Sequence, residues 1–232
     1  MLIDEVLDRL NALANPDKIE LKKVRAGIVA RNSLGIYHRD LDVLAKEIGM
    51  DSQLGDALFD TDIYEARLLC SKIFDPVDLT EGLMEKWVVT FENWEICDSF
   101  CMGFFVQSGL ARQKAAAWSA REGEFNKRAA FAMMAAYGFA NKEADNQVFE
   151  EFLIPVERES TDARLYVKKA VNWALRNIGK RNVDLQVAAI ECARNIMAQT
   201  DKASGWIAKN ALRELESPKA NVLDYPRSIY RP

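Results

Sequence analysis

Apolar residues in the stretch Val167 to Asn182, VKKAVNWALRNIGKRN, recur with the period of an α-helix. At about 100° per residue, Val167, Ala170, Val171, Ala174, Leu175 and Ile178 fall on one face, the stripe of a helix packed against a core. Trp173 lies off that stripe, in a row with Lys169, Arg176 and Lys180. A large ring set among cations suits a polyanion that also offers flat or apolar surface. Nucleic acid has that chemistry, because phosphates take the charges and sugars or bases take the ring. Cover by an adjacent helix is the structural alternative.

The helical period holds along nearly the whole chain. Between Pro76 and Pro218 the only proline is Pro155. The pattern predicts roughly a dozen helices of moderate length joined by short turns, with no strand. Turn and cap signals recur at Asn15–Pro16, Gly49–Met50–Asp51, Asp75–Pro76, Gly82, Gly123, Gly138, Asp162, Gly179 and Ser204. A weak internal repeat joins WALRNIG (173–179), ECARNIM (191–197) and NALRELE (210–216), whose arginines Arg176, Arg194 and Arg213 are 18 and 19 residues apart. That period fits one helix and one turn, so two units make a helical hairpin of about 40 residues, the HEAT class. The expected fold is therefore all-α: a HEAT-like helical-repeat solenoid of stacked antiparallel helix pairs, curved around a concave groove. An irregular helical bundle is the alternative. Residues 1–216 are read as a single repeat domain and 217–232 as an extended tail, either disordered or strapped over the array by Leu223, Tyr225 and Tyr230.

Two further constellations have chemical potential. In FENWEICDSFC (91–101), Asn93 is a plausible N-cap, and Trp94 and Asp98 emerge from the same face one turn apart. Ile96, Phe100 and Phe104 form the core stripe. A carboxylate beside an aromatic face stabilises a developing cation; an Asp that caps or salt-bridges a neighbouring repeat is the plainer reading. In EFNKRAAFAMMAAYG (124–138) the helix is apolar almost all round apart from Lys127 and Arg128. Arg128 shares its face with Ala132 and Ala135, and small neighbours leave room for an approach to the guanidinium. A buried Arg needs a partner, either a structural carboxylate or a bound anion.

Charge sharpens this picture. The net charge of −4 argues against indiscriminate nucleic-acid binding, but its distribution is uneven. From Ala163 onward there are 13 Lys+Arg against 6 Asp+Glu, leaving 18 against 29 in residues 1–162. The cysteines Cys70, Cys97, Cys101 and Cys192 form no CxxC pair, and His38 is the only histidine, so small buried side chains are favoured over zinc ligands. Without an apolar leader or membrane-length run, the chain is expected to be cytoplasmic, with reduced thiols. No Ser/His/Asp set or phosphate-binding glycine loop can be assembled, and no cofactor or metal is implied. A single histidine disfavours imidazole acid–base chemistry. Any reaction here relies on carboxylate, aromatic and arginine groups, and needs a leaving group that departs without a proton from the enzyme.

The three constellations, in this order, resemble the AlkD-like DNA alkylation repair glycosylases, a HEAT-like family. The resemblance runs from about Leu34 to Leu215 and is carried by NWEICD (Trp94, Asp98), FNKRAAF (Arg128) and VKKAVNWALRNIGKRN (Trp173). YEARLLCSKI (64–73) looks like the family's earlier helix, with Glu65 preceding Arg67. The resemblance implies excision of cationic N3- or N7-alkylated purines from double-stranded DNA; the chain is expected to act as a monomer, with no membrane partner. It places Trp94, Asp98 and Trp173 at the deoxyribose as catalytic residues, and Arg128 on the DNA. Lys127, Lys169, Arg176 and Lys180 are the further expected DNA contacts. All are expected to converge on one groove. Such a purine leaves as a neutral base, and Asp98 then faces a sugar of oxocarbenium character. The family's shallow site needs no deep base-flipping pocket. The family's DNA-binding members tend to be basic, whereas this chain has a pI near 5.3. Related proteins bind DNA without excising bases, so a non-catalytic binder of damaged or branched DNA is the runner-up, and a helical-repeat scaffold for another protein ranks third.

Overall fold

The computed structural model describes residues 1–218 and Ala220; the expected tail, with Leu223, Tyr225 and Tyr230, lies outside the described residues. Thirteen α-helices and no strand occur among the described residues. The chain divides into two compact units, Met1–Ser108 and Gly109 onward. The first holds α1 (Ile3–Ala12), α2 (Pro16–Ala26), α3 (His38–Ile48), α4 (Ser52–Phe59), α5 (Tyr64–Ile73), α6 (Glu81–Val88) and α7 (Trp94–Gly103). The second holds α8 (Ala111–Ser119), α9 (Glu124–Ala140), α10 (Asn146–Arg158), α11 (Leu165–Gly179), α12 (Val183–Ala198) and α13 (Lys202–Leu215).

Local chemistry explains six of the thirteen described helix starts. Asp51, Thr80, Asn93, Asn182 and Asp201 each accept a backbone N–H of the first turn, and Pro16 occupies the first position of α2, where its missing N–H matters least. Three of the sequence's turn signals lie inside helices instead. Gly82 is the second residue of α6, whose cap is Thr80. Ser204 is in the first turn of α13, where its N–H is capped by Asp201. Gly138 is in the last turn of α9, where an added Cβ would lie 2.9 Å from Arg181 Nη1, so this glycine makes room for a buried neighbour rather than a turn.

Each unit has its own apolar core. In the first, Trp87 is surrounded by Phe59, Phe74, Phe100, Phe104 and Phe105 at centroid distances of 5.2–6.3 Å. In the second, α9 is buried on nearly every side, packing against α8 and α11. The predicted stripe of α11, Val167 through Ile178, is fully buried. The three repeat segments become the C-terminal parts of α11, α12 and α13, three successive helices that pack on one another. All four cysteines are buried. Burial raises the Cys70 thiol and pushes Cys192 up to about 12, which keeps both protonated and inert. No described helix is long and apolar enough to cross a membrane.

Candidate functional site

In the first unit the site is built on α7. Asn93 caps the helix by accepting from the N–H groups of Glu95 and Ile96, and its own amide donates to Val29 O at 3.1 Å. Ile96 and Phe100 turn into the core, which leaves Trp94 and Asp98 half-buried on the other side of the helix. The Trp94 ring is held from behind, its Nε1 donating to Ala26 O at the end of α2, 2.9 Å away. Trp94 and Asp98 together line a cavity of about 310 Å³, whose other walls are His38, Glu95, Ser99, Met102 and Gly103.

Glu95 and His38 were missed by sequence reasoning. Glu95 is 7% exposed. Its Oε2 accepts from Tyr64 OH at 2.9 Å and Lys22 Nζ at 3.1 Å, and its Oε1 lies 3.4 Å from His38 Nε2. Burial alone would raise this carboxyl. The hydrogen bond from His38, the charge of Lys22 and the bond from Tyr64 outweigh it and hold Glu95 below its ordinary value. Four helices, α2, α3, α5 and α7, thus meet on one carboxylate at the cavity wall. Glu95 is one of three acids in residues 91–101, and nothing in the local sequence singles it out, because its partners are remote in the chain.

The Glu65–Arg67 pair supports this wall from below. Fully buried Glu65 accepts from the N–H groups of Leu34, Gly35 and Ile36 and from Ser33 Oγ, fixing the loop that leads into α3 and His38. Gly35 in that loop has φ +74°, and a Cβ there would strike Asn15 O at 2.2 Å. Arg67 donates to both oxygens of Glu92 at 3.1 Å and to Thr90 O, which anchors the turn before α7.

The second unit contains the other expected residues. Arg128 is 7% exposed, and its Nη1 donates to Tyr166 O at 2.9 Å, in the first turn of α11. A backbone carbonyl is thus one of the partners of this guanidinium. Lys127 is also buried, ion-paired to Glu159 and 3.5 Å from Asp162, so its charge is taken up inside the fold. Trp173 is half-buried, off the core stripe, as its position predicts. Of the cations in its row, Lys169 is exposed, whereas Arg176 and Lys180 both bind Glu214 of α13, the latter at 2.9 Å. Burial works to raise Glu214, but the hydrogen bonds from Arg176 and Lys180 lower it overall. The row presents one open charge and a two-cation clamp around a carboxylate. A shared acid from the following helix was invisible in the spacing along α11.

A family model described as DNA alkylation repair enzyme matches residues 6–215. Among solved structures, a protein described as one of a new family related to the HEAT-like repeat DNA glycosylases, with affinity for branched DNA structures, is similar at 19% identity. That likeness covers 92% of this chain and 95% of the other, with a TM-score of 0.72. It shows the fold to be that of the HEAT-like repeat glycosylases. No curated protein matches the chain.

Proposed function

Because the chain belongs to the DNA alkylation repair enzyme family, we propose that it excises cationic N3- or N7-alkylated purines from duplex DNA by hydrolysing the N-glycosidic bond. The observation that carries this reading is the cavity in which an indole and a carboxylate, Trp94 and Asp98, stand side by side. A purine alkylated at N3 or N7 carries a positive charge and departs as a neutral base, so no general acid is required. The sugar left behind gains oxocarbenium character. Asp98 stabilises that cation by charge and orients the attacking water, and the Trp94 face attracts it through the ring quadrupole. The Nε1 bond to Ala26 O keeps that ring in place before the substrate arrives. Trp173 is assigned to the deoxyribose and Arg128 to the DNA on the family resemblance, and Lys169 is the cation of its row open to a phosphate.

The test is release of 7-methylguanine from methylated duplex DNA by the purified protein, with Asp98→Asn beside it under single-turnover conditions. Loss of one preorganised electrostatic group in the transition state slows excision by about 10²–10³-fold, while DNA affinity stays level or rises slightly, since a carboxylate repels phosphates. Equal rates for Asp98→Asn and the parent would make Asp98 a structural acid. A second reading, binding of branched DNA without excision, is favoured by the affinity described for the similar solved structure. Its signature is a parent protein that binds such DNA and releases no base.

A further inference from the structure

The sequence placed a tryptophan among cations on α11, where two of the cations proved to be clamped by Glu214. The same arrangement exists, unclamped, on α13. Lys202, Trp206, Lys209 and Arg213 are spaced four, three and four residues apart, which puts them within one narrow face of a helix. All four are exposed, Trp206 to 40%. Among the described residues no carboxylate pairs with Lys202, Lys209 or Arg213. The neighbouring helix α11, which packs directly on α13, adds Lys168, whose Nζ lies 5.1 Å from the centre of the Trp206 ring, and exposed Lys169. Acid is scarce here: α11 has no Asp or Glu, and the only one in α13 is Glu214, already bound to Arg176 and Lys180. Asp201, just before α13, is turned to capping its N–H groups.

At 40% exposure the Trp206 ring presents apolar surface to a partner on the same face as these cations. The cationic surround excludes a purely apolar partner. We propose that this face of α13 binds an unpaired strand of nucleic acid, with Trp206 stacking on a base and Lys202, Lys209 and Arg213 contacting successive phosphates. The row is about 16 Å long at 1.5 Å per residue, a span of a few nucleotides. A duplex keeps its base faces stacked and sealed, so only a single-stranded segment, such as a gap or the arm of a fork, offers the flat surface that Trp206 needs. The face belongs to the second unit and shares no residue with the Trp94–Asp98 cavity. Its existence does not depend on excision: a protein that releases no base still has this strand-binding face.

The experiment titrates the full chain with labelled oligothymidylate, with a fully paired duplex and with polyglutamate, comparing the parent protein, Trp206→Ala, Trp206→Phe and the combined Lys202→Gln, Lys209→Gln, Arg213→Gln variant. Circular dichroism confirms that each is folded. Trp206→Ala weakens oligothymidylate binding on the order of tenfold and leaves the duplex within about twofold, and Trp206→Phe restores most of the loss because a smaller ring still stacks. The triple variant flattens the salt dependence for the single strand by about two units, at 0.7 per phosphate contact. Quenching of tryptophan fluorescence by oligothymidylate shrinks in Trp206→Ala. Unchanged single-strand affinity in Trp206→Ala overturns the proposal. So does an equal loss for duplex and single strand, which makes α13 an ordinary duplex contact. Polyglutamate binding as tight as oligothymidylate, and equally sensitive to the triple variant, overturns it in favour of an acidic protein partner.

Discussion

Glu95 decides more about the cavity than either residue that flanks it in the motif. Trp94 and Asp98 face the space, but the wall that holds them is tied through Glu95 to Lys22, His38 and Tyr64. With both Glu95 and Lys22 about nine-tenths buried, removing one charge strands the other in a poorly solvated place. Glu95→Gln keeps the shape and removes the charge, and is expected to destabilise the fold by about 3 kcal/mol at neutral pH, read as a shift of the urea midpoint. Loss of the clamp also loosens the cavity, so excision falls along with stability. His38→Gln retains one donor to Glu95 and is expected to lose much less of both. Equal damage from the two variants would mean that the imidazole, and not the Lys22 charge, holds the wall. A motif reading that kept only Trp94 and Asp98 passed over Glu95 because its partners are set by tertiary packing.

At the scale of elements, α11 shows how a neighbour redefines a surface. Its six-residue apolar stripe and the cap of α7 by Asn93 were legible, because both rest on short-range geometry. So were the helical class and the succession of α11, α12 and α13 from the arginine period. The pairing of Arg176 and Lys180 with Glu214 was not, since α13 must first dock on α11. Gly138 likewise reads as a turn until Arg181 is seen against it. The clamp makes a prediction. Glu214→Gln releases both cations, so duplex binding should tighten at low salt and its salt slope steepen by up to about two units, while Lys169→Gln should make the slope shallower by about one. A slope indifferent to both substitutions would place duplex DNA away from α11.

Across the whole molecule, charge is divided between the two units. Residues 1–108 have 11 Lys+Arg against 20 Asp+Glu, and residues 109–232 have 20 against 15. The acidic unit is not simply an anionic surface, because several of its carboxylates are internal ligands, such as Glu65 to a backbone loop and Glu95 to Lys22. Glu47 and Glu95 in the first unit, and Glu159, Asp162 and Glu214 in the second, are all held below their ordinary values by donors in the folded chain. Unfolding releases those donors, so the unfolded chain binds protons more readily. Stability from these groups is therefore fully present above the ordinary carboxylate range of about 4 and is lost as pH falls through their lower folded values. The buried thiols Cys70 and Cys192 and the phenol of Tyr64 act in the other direction. Each is raised by burial, so the unfolded chain gives up its proton first, and stability declines once pH passes the ordinary thiol range of about 8.5. Calorimetry from pH 3 to 10 should then show a plateau in Tm between about 5 and 8 with a fall on both sides. Glu95→Gln should start lower on the plateau and approach the parent as the pH drops below 4, because protonation removes from the parent what the substitution has already removed. A Tm difference between the two that stays constant down to pH 3 would show that Glu95 supports the fold by shape and hydrogen bonding, with its charge contributing nothing to stability.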